Sequence, residues 1–164
     1  MKHFTLILLM GYIPVSLIGQ NLKVLDEKYG FRGAKFEMPF DSLNLVEVEK
    51  GFYKFTYEDL SIGDYVLNDV IYHFYKNQLA TIIIHTKRLS NSVGFLKILQ
   101  NAYGNGWMSN RNIENYSWLG KKVSMSYKQN SVTGDATIFI QSNSLSKQEE
   151  ADGNKAASEA AKKL

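Results

Sequence analysis

The sequence contains no cysteine. This absence excludes disulfide bonds, thiolate metal sites, a cysteine nucleophile and lipid attachment through an N-terminal cysteine. The core must therefore be stable without covalent cross-links. A chain without cysteine is nevertheless compatible with an oxidising compartment, because disulfides are permitted there and not required.

The sequence also lacks a basic stripe of the kind that binds a phosphate backbone. The chain has 19 Lys and Arg residues against 16 Asp and Glu, which gives a net charge of +3. The basic residues are scattered, apart from the pairs Lys87-Arg88 and Lys121-Lys122. Nucleic-acid binding needs clustered positive charge, so we expect no nucleic-acid partner.

Familiar catalytic and cofactor motifs are missing as well. The sequence has no His-Glu-x-x-His spacing and no Gly-x-Ser-x-Gly elbow. Its glycines do not form a phosphate-cradling loop, because none lies between a strand and a helix N-terminus at the required spacing. We expect the following ones at turns: Gly30, Gly33, Gly104, Gly106 and Gly120. The sequence therefore predicts no cofactor and no metal site.

The N-terminus has the pattern of a signal peptide. A short basic start, Met1-Lys2-His3, precedes the apolar run Phe4-Thr-Leu-Ile-Leu-Leu-Met-Gly-Tyr-Ile13, which has the length of an h-region. We predict a signal peptide over residues 1–19 and a mature protein that is periplasmic or secreted. The alternative is an uncleaved membrane anchor, although residues 4–18 are short for a span of about 20 residues.

Residues 66–104 predict the centre of the fold. Two β-rich runs flank Lys76-Asn77-Gln78, which we interpret as a three-residue hairpin loop. In that register one face is apolar, with Val70, Tyr72, Phe74, Ala80, Ile82 and Ile84. The other face is mixed, with Asp69, His73, Thr81 and His85. A one-residue slip would scramble this separation.

An amphipathic helix follows the hairpin. Apolar residues recur three or four apart from position 89 to 103, namely Leu89, Val93, Leu96, Leu99 and Tyr103. Gly94 lies inside this pattern and costs about 1 kcal/mol relative to Ala. Gly104 fits the position just beyond a helix C-terminus. We predict that this helix packs on the apolar face of the hairpin.

The remaining pattern gives a fold class. A strand is predicted over 51–57, and three more strands are predicted after the helix at 116–118, 123–127 and 136–140. Weaker signals predict a helical turn at 22–30, a strand at 36–38 and a helix at 40–45. The order β-β-β-α-β-β-β favours an α+β domain over residues 20–143, with a mainly antiparallel sheet of about six strands and one principal helix on one face. Residues 144–164 are rich in Ala, Lys and Glu and predict a frayed or marginally helical tail.

The histidines offer one catalytic hypothesis. The predicted register brings Asp69 across from His85, with His73 on the same face. An Asp that orients a His is half of a hydrolytic triad, and Ser61, Ser90 and Ser92 are nominal nucleophiles. A polar cross-strand pair is also an ordinary stabilising contact, worth about 0.2 to 1 kcal/mol. A small hydrolase is therefore an alternative function, not the leading one.

The aromatic residues indicate binding. Trp107, Tyr116 and Trp118 lie around a polar stretch, and such side chains serve as interface anchors and as platforms for sugar rings. Core packing is the competing interpretation for Trp118. The leading hypothesis is an exported, non-enzymatic binding module for a protein, peptide or glycan, and a membrane-tethered structural protein is a further alternative if the leader stays attached.

Several local motifs resemble a group of known sequences. They are Lys28-Tyr-Gly-Phe-Arg-Gly-Ala-Lys-Phe36, the helix end Tyr103-Gly104, the strand Trp118-Leu-Gly120 and the Ile-Gly-Gln ending of the leader. Over residues 20–143 the chain resembles small uncharacterised exported proteins of Bacteroidota. The resemblance implies export and carries over no catalytic residue.

Overall fold

The computed structural model describes residues 21–108 and 114–163, and the predicted signal peptide lies outside them. In chain order the elements are α1 (Leu22–Lys28), β1 (Gly30–Phe31), β2 (Ala34–Lys35), a single 3₁₀ turn (Phe40–Ser42), β3 (Leu45–Glu49), β4 (Phe52–Phe55), β5 (Ser61–Ile62), β6 (Tyr65–Val66), β7 (Asp69–Tyr75), β8 (Gln78–Thr86), α2 (Leu89–Tyr103), β9 (Trp107–Met108), β10 (Asn115–Leu119), β11 (Val123–Gln129), β12 (Ala136–Ser142) and α3 (Asn143–Ala161).

An antiparallel sheet of eight strands dominates the described residues, in the order β3-β4-β7-β8-β12-β11-β10-β9. The pairs β1-β2 and β5-β6 form separate two-stranded ribbons. The α+β class with a large antiparallel sheet is therefore confirmed.

The sheet has more strands than the six or so predicted, because β3 and β9 join its two edges. Pro39 favoured a short helix at 40–45, but the helical backbone ends after one 3₁₀ turn. The Leu-Val-Glu-Val-Glu alternation then forms β3. Residues 36–38 do not form the predicted strand, since Glu37 has a φ of 64° and the neighbouring ribbon uses Gly30–Phe31 and Ala34–Lys35 instead.

The β7–β8 hairpin has the predicted faces but a different loop. Asp69 pairs with His85, and Tyr72 pairs with Ile82, as predicted. The loop is not three residues long: Tyr75 pairs with Gln78, so only Lys76 and Asn77 connect the strands, with φ values of 49° and 65°. Such values are typical of the tight turns whose twist matches a hairpin. A β-bulge next to the turn adds the extra residue and restores the predicted register.

One face of the sheet is buried under α2. The side chains of this inner face are at most 4% exposed at the following positions: Val70, Tyr72, Ile82, Ile84, Trp118, Val123, Met125, Tyr127, Ile138 and Ile140. The helix contributes Phe95, Leu96, Leu99 and Tyr103 to the same cluster. Fully burying each large apolar side chain stabilises the fold by about 1.5 to 3 kcal/mol before chain entropy is subtracted.

Two hydrogen bonds fix the direction of α2 across the inner face. Near its N-terminus, the Ser92 hydroxyl lies 2.8 Å from the Thr86 hydroxyl of β8. Just beyond its C-terminus, the indole of Trp118 in β10 donates to the Gly104 carbonyl at 2.8 Å. The helix therefore spans from β8 to β10. Its buried stripe is centred on Ser92 and Phe95, and Leu89, which the periodicity predicts as buried, is 57% exposed.

The segment predicted as a frayed or marginally helical tail is helix α3. Ser142 caps its N-terminus by accepting from the Leu145 amide, and the Asn143 amide group donates to the Gly120 carbonyl at 3.0 Å. Farther along, Glu149 meets His73 at 3.5 Å and Asp152 meets Lys76 at 2.6 Å. These long-range contacts hold its first ten residues against the sheet, while residues 153–161 are exposed.

Among the described residues, no helix combines the length and the apolar character that crossing a membrane would need.

Candidate functional site

The sheet face opposite α2, which we call the open face, is built from the alternate residues of each strand. Its middle row runs through six directly paired positions: Ile71, Ile83, Phe139, Ser126, Ser117 and Trp107. The first five of these side chains are half-buried, and Trp107 is 60% exposed. An antiparallel sheet with one covered and one solvated face commonly has polar residues on the solvated face. Here that face is mixed, because Ile71, Ile83 and Phe139 lie in the same row as the two serines.

The open face contains a groove with a serine floor. We call the four positions Phe139, Ser126, Ser117 and Trp107 the serine groove; they lie on β12, β11, β10 and β9. Three strand spacings separate its ends, or about 14 Å. The small serine side chains lie between two aromatic residues, so the surface is depressed between them.

Depressions lie on both sides of Phe139. One has a volume of 180 Å³, and its lining includes Ser117, Leu119, Ser124, Ser126 and Gln141. The other measures 570 Å³ and is lined in part by Lys128, Asn130, Thr133, Asp135 and Thr137. Phe139 lines both and forms the ridge between them. The serine groove therefore continues into a longer polar surface along β11 and β12.

The three aromatic residues predicted to bind lie on two different faces of the sheet. Trp107 is on the open face in β9, whereas Trp118 is fully buried on the inner face. Tyr116 is half-buried and stacks against Trp118 with ring centroids 6.2 Å apart. Burial and the nearby Glu114 carboxylate raise the pKa of Tyr116 to about 12. Only Trp107 of the three offers a ring to a ligand.

Asp69 and His85 do meet on the open face. The distance from His85 Nδ1 to Asp69 Oδ1 is 2.6 Å, and Lys54 Nζ donates to Asp69 Oδ2 at 2.8 Å. Burial by itself would raise the pKa of Asp69, but the hydrogen bonds from Lys54 and His85 outweigh it and hold the pKa below its usual value. Asp69 is thus an ionised carboxylate shared between two partners.

His73 lies apart from this pair. It is four residues along β7 from Asp69, which is about 13 Å of strand. Its ring stacks on Phe52 with centroids 4.6 Å apart, and its Nε2 lies 3.5 Å from the Glu149 carboxylate of α3. His73 therefore helps to hold α3 at one border of the open face.

The nominal nucleophiles do not join the Asp69–His85 pair. Ser92 is buried under α2, where its hydroxyl contacts Thr86. Ser61 lies in β5, and its carbonyl accepts from Arg32. Ser90 is an exposed residue of the first turn of α2. Within the described part of the chain, the ionisable side chains also form no cluster able to hold a metal ion.

A partly buried ionic cluster lies on the inner side of the sheet. The Tyr72 hydroxyl donates to Glu58 Oε1 at 2.8 Å, and Arg32 Nη1 is 3.4 Å from the same oxygen. Burial raises the pKa of Glu58, partly offset by Tyr72 and Arg32. Arg32 also donates to the carbonyls of Asp59 and Ser61 and lies over the Phe31 ring. The guanidinium ties the β1–β2 ribbon to the 58–61 segment, which is a structural role.

Asp26 closes a further depression, of 690 Å³, between α1 and the β10–β11 turn. Its carboxylate accepts from the backbone amides of Lys121, Lys122 and Val123 at 2.8, 2.8 and 3.0 Å. Burial alone would raise the pKa of Asp26, but these backbone hydrogen bonds lower it. The turn amides could otherwise bind an anion, and Asp26 already occupies that position.

Sequence reasoning missed most of the serine groove. The alternation in Val123-Ser-Met-Ser-Tyr127 does predict a strand with a small polar face. It does not show that Ser126 lies opposite Phe139, because that pairing joins residues 13 positions apart. Which residues become neighbours across two strands depends on the order of the strands in the sheet, which the sequence does not show.

Over residues 21–108 and 114–163, the fold and this surface define an α+β protein with an antiparallel sheet that is covered by α2 on one face and is open on the other, apart from the border that α3 contacts. No family model, curated protein or solved structure matches the chain.

Proposed function

We propose that the protein is an exported, non-enzymatic binding module that holds its ligand in the serine groove. The observation that supports this most is the placement of Trp107. Its ring is 60% exposed and stands directly opposite Ser117, in the row that continues to Phe139. Large exposed aromatic side chains beside a depression are typical of binding surfaces.

The shape of the open face supports the same proposal. Ligand sites are concave and combine apolar walls with a few placed polar groups. The serine groove has an aromatic residue at each end and two serines along its floor, and both serines also line the 180 Å³ depression beside Phe139. Rigid strands carry these side chains, so the surface is formed before a ligand arrives.

Amide chemical shifts test this proposal with a panel of candidate ligands. The full chain, expressed with its own leader and purified in the form that the cell produces, is titrated with uncharged oligosaccharides and uncharged short peptides. We expect at least one panel member to shift the amides of Ser117, Ser126 and Phe139 and to leave those of α2 unchanged. Shifts confined to other surfaces, or none at all, would contradict the proposal.

Export is part of the proposal and has its own test. The signal-peptide pattern of residues 1–19 and the resemblance to exported proteins of Bacteroidota support it. Mass spectrometry of the protein recovered from the cell envelope gives its first residue. A mature chain beginning at or near Gln20 is expected. A chain that still begins at Met1 and stays with the membrane would favour the tethered structural protein.

The hydrolase remains a second candidate because Asp69 and His85 do lie 2.6 Å apart. An Asp can orient a His as a general base in this way. Two facts weigh against it: Lys54 shares the same carboxylate, and neither Asp69 nor His85 lines the two depressions beside Phe139. The test compares hydrolysis of activated esters by the wild type and His85→Gln. Equal rates would remove this candidate, and a rate that falls about a hundredfold would favour it.

A further inference from the structure

We propose that the serine groove takes a neutral, linear oligosaccharide that lies across the strands from Phe139 to Trp107. This inference rests on the proposed function, since it names the ligand class for the same surface. Three observations support it: the polar side chains around Phe139, the charge of the lining, and the hydrogen bonding of the strands that form the groove floor.

Hydrogen-bonding side chains surround Phe139 on the open face. Ser126 lies directly opposite it on β11, and Thr137 and Gln141 lie two residues away on either side in β12. Among the described residues, these three side chains have no hydrogen-bond partner, so they are available to a ligand. A sugar ring has an apolar C–H face and a rim of hydroxyls. An aromatic ring bordered by hydroxyl and amide groups matches both parts at once.

Trp107 provides a second aromatic surface at the other end. The two aromatic residues are about 14 Å apart across three strand spacings, with Ser126 and Ser117 between them. This distance suits a chain of a few sugar rings that contacts an aromatic side chain at each end and the Ser126 hydroxyl between them. A single monosaccharide would reach only one of the two.

The charge of the surface favours an uncharged ligand. The lining on either side of Phe139 holds one cation, Lys128, and one anion, Asp135. Asp135 already accepts from the Arg88 amide at 2.9 Å. The remaining polar side chains of this lining are hydroxyls and amides. Within the described lining, a strongly charged ligand would find no compensating cluster, whereas a neutral polyhydroxylated ligand would meet hydroxyl and amide groups that can hydrogen-bond to it.

The strand pairing disfavours an extended peptide in the same place. Peptides that bind sheets commonly add a strand at a free edge, where main-chain groups are unpaired. The groove floor at Ser126 and Ser117 is closed to strand addition, because β11 pairs with both β10 and β12, and Ser117 of β10 pairs with both Ser126 and Trp107. The Trp107 end of the groove lies on the edge strand β9. Over the floor, recognition therefore comes from side chains, which is how sugars are bound.

Binding of defined tetrasaccharides tests the inference. The probes are cellotetraose, chitotetraose, maltotetraose and mannotetraose, with capped tetra-alanine and an uncharged Gly-Ser tetrapeptide as comparators. The full chain is titrated at up to millimolar concentrations, and affinity is measured by calorimetry and amide shifts. We expect at least one tetrasaccharide to bind and both peptides to fail.

Three variants locate the binding site. Trp107→Ala is expected to weaken the bound tetrasaccharide at least tenfold, which corresponds to about 1.4 kcal/mol. Ser126→Tyr fills the floor without removing either aromatic residue and is expected to abolish binding. Tyr57→Ala is the matched control, because Tyr57 is 92% exposed and lines a depression on the other side of the sheet with Tyr72; it is expected to bind as the wild type does.

The outcomes separate this inference from the proposed function. If a peptide shifts the groove amides and no tetrasaccharide does, the glycan inference is wrong and the binding module stands. If no probe shifts them, both are wrong. If a tetrasaccharide binds equally well to the wild type, Trp107→Ala and Ser126→Tyr, its site is elsewhere and the glycan inference is again wrong.

Discussion

Trp107 lies directly opposite Ser117 in the short β9–β10 pair, and this pairing puts the indole on the open face of the sheet. The next tryptophan along the chain, Trp118, neighbours Ser117 in β10 and so points to the other face, into the core. Strand alternation therefore gives the two tryptophans opposite roles.

The tryptophans should differ sharply in their effect on stability. Trp118→Phe removes the donor to the Gly104 carbonyl and leaves a void in a fully buried site, so we expect a loss of about 2 to 3 kcal/mol. Trp107→Phe changes an exposed side chain and should stay within about 0.5 kcal/mol of the wild type. Urea denaturation of both variants measures this. Equal losses would mean that the faces are wrongly assigned.

Asp26 should stabilise the β10–β11 turn. Asp26→Ala leaves three backbone amides without their acceptor, and we expect a loss of about 1 to 2 kcal/mol. The amide of Val123 should also exchange with solvent faster than in the wild type. Glu27→Gln changes the next, exposed residue of α1 and serves as the control. No faster exchange at Val123 in Asp26→Ala would contradict the contact.

Asp69 should make the fold sensitive to acid. Its pKa is lower in the folded protein than the ordinary value of 3.8, so its contribution to stability is complete above that value and is lost as the pH falls through the folded pKa. Between pH values of about 5 and 2, the wild type should therefore lose more unfolding free energy than Asp69→Asn does. The exposed Asp64→Asn should follow the wild type. A steeper loss in Asp69→Asn than in the wild type would contradict the direction of the shift.

Two helical glycines should respond oppositely to alanine. A methyl group at Gly94 would overlap the ring of Tyr65, so Gly94→Ala should destabilise the fold although alanine is the better helix former. A methyl group at Gly153 in α3 meets nothing within 4 Å, so Gly153→Ala should stabilise α3 by up to about 1 kcal/mol. Thermal unfolding and helical circular dichroism of both variants decide this. Stabilisation by Gly94→Ala would show that Tyr65 does not pack there.

Local pattern predicted the hairpin faces and the helix that covers them. The alternation of Val70, Tyr72 and Phe74 and the 3.6-residue spacing of Leu96, Leu99 and Tyr103 are short-range signals, and the structure has both. That Gly94 costs helix stability was also visible in the sequence. The reason why a glycine is needed there was not, because Tyr65, which packs against Gly94, lies in the separate β5–β6 ribbon.

What the sequence could not predict depends on contacts between distant residues. Helix α3 looks marginal by composition, yet it is held by Glu37 with Ser144, by His73 with Glu149 and by Lys76 with Asp152. The serine groove similarly requires the order β12-β11-β10-β9. Single-strand periodicity places a serine on a face but does not name its neighbour on the next strand.

An open binding face is tested most directly by the reactivity of a single thiol in the groove floor. Because the chain has no cysteine, the thiol of Ser126→Cys is the only one in the protein. Its maleimide labelling under native conditions is compared with Val132→Cys, at a site that is 91% exposed, and Ile138→Cys, at a site that is fully buried on the inner face. We expect the thiol at 126 to be labelled without unfolding, within about tenfold of the rate at 132, and to be protected by the bound tetrasaccharide. Labelling at 126 that requires unfolding, as expected at 138, would contradict an open binding face.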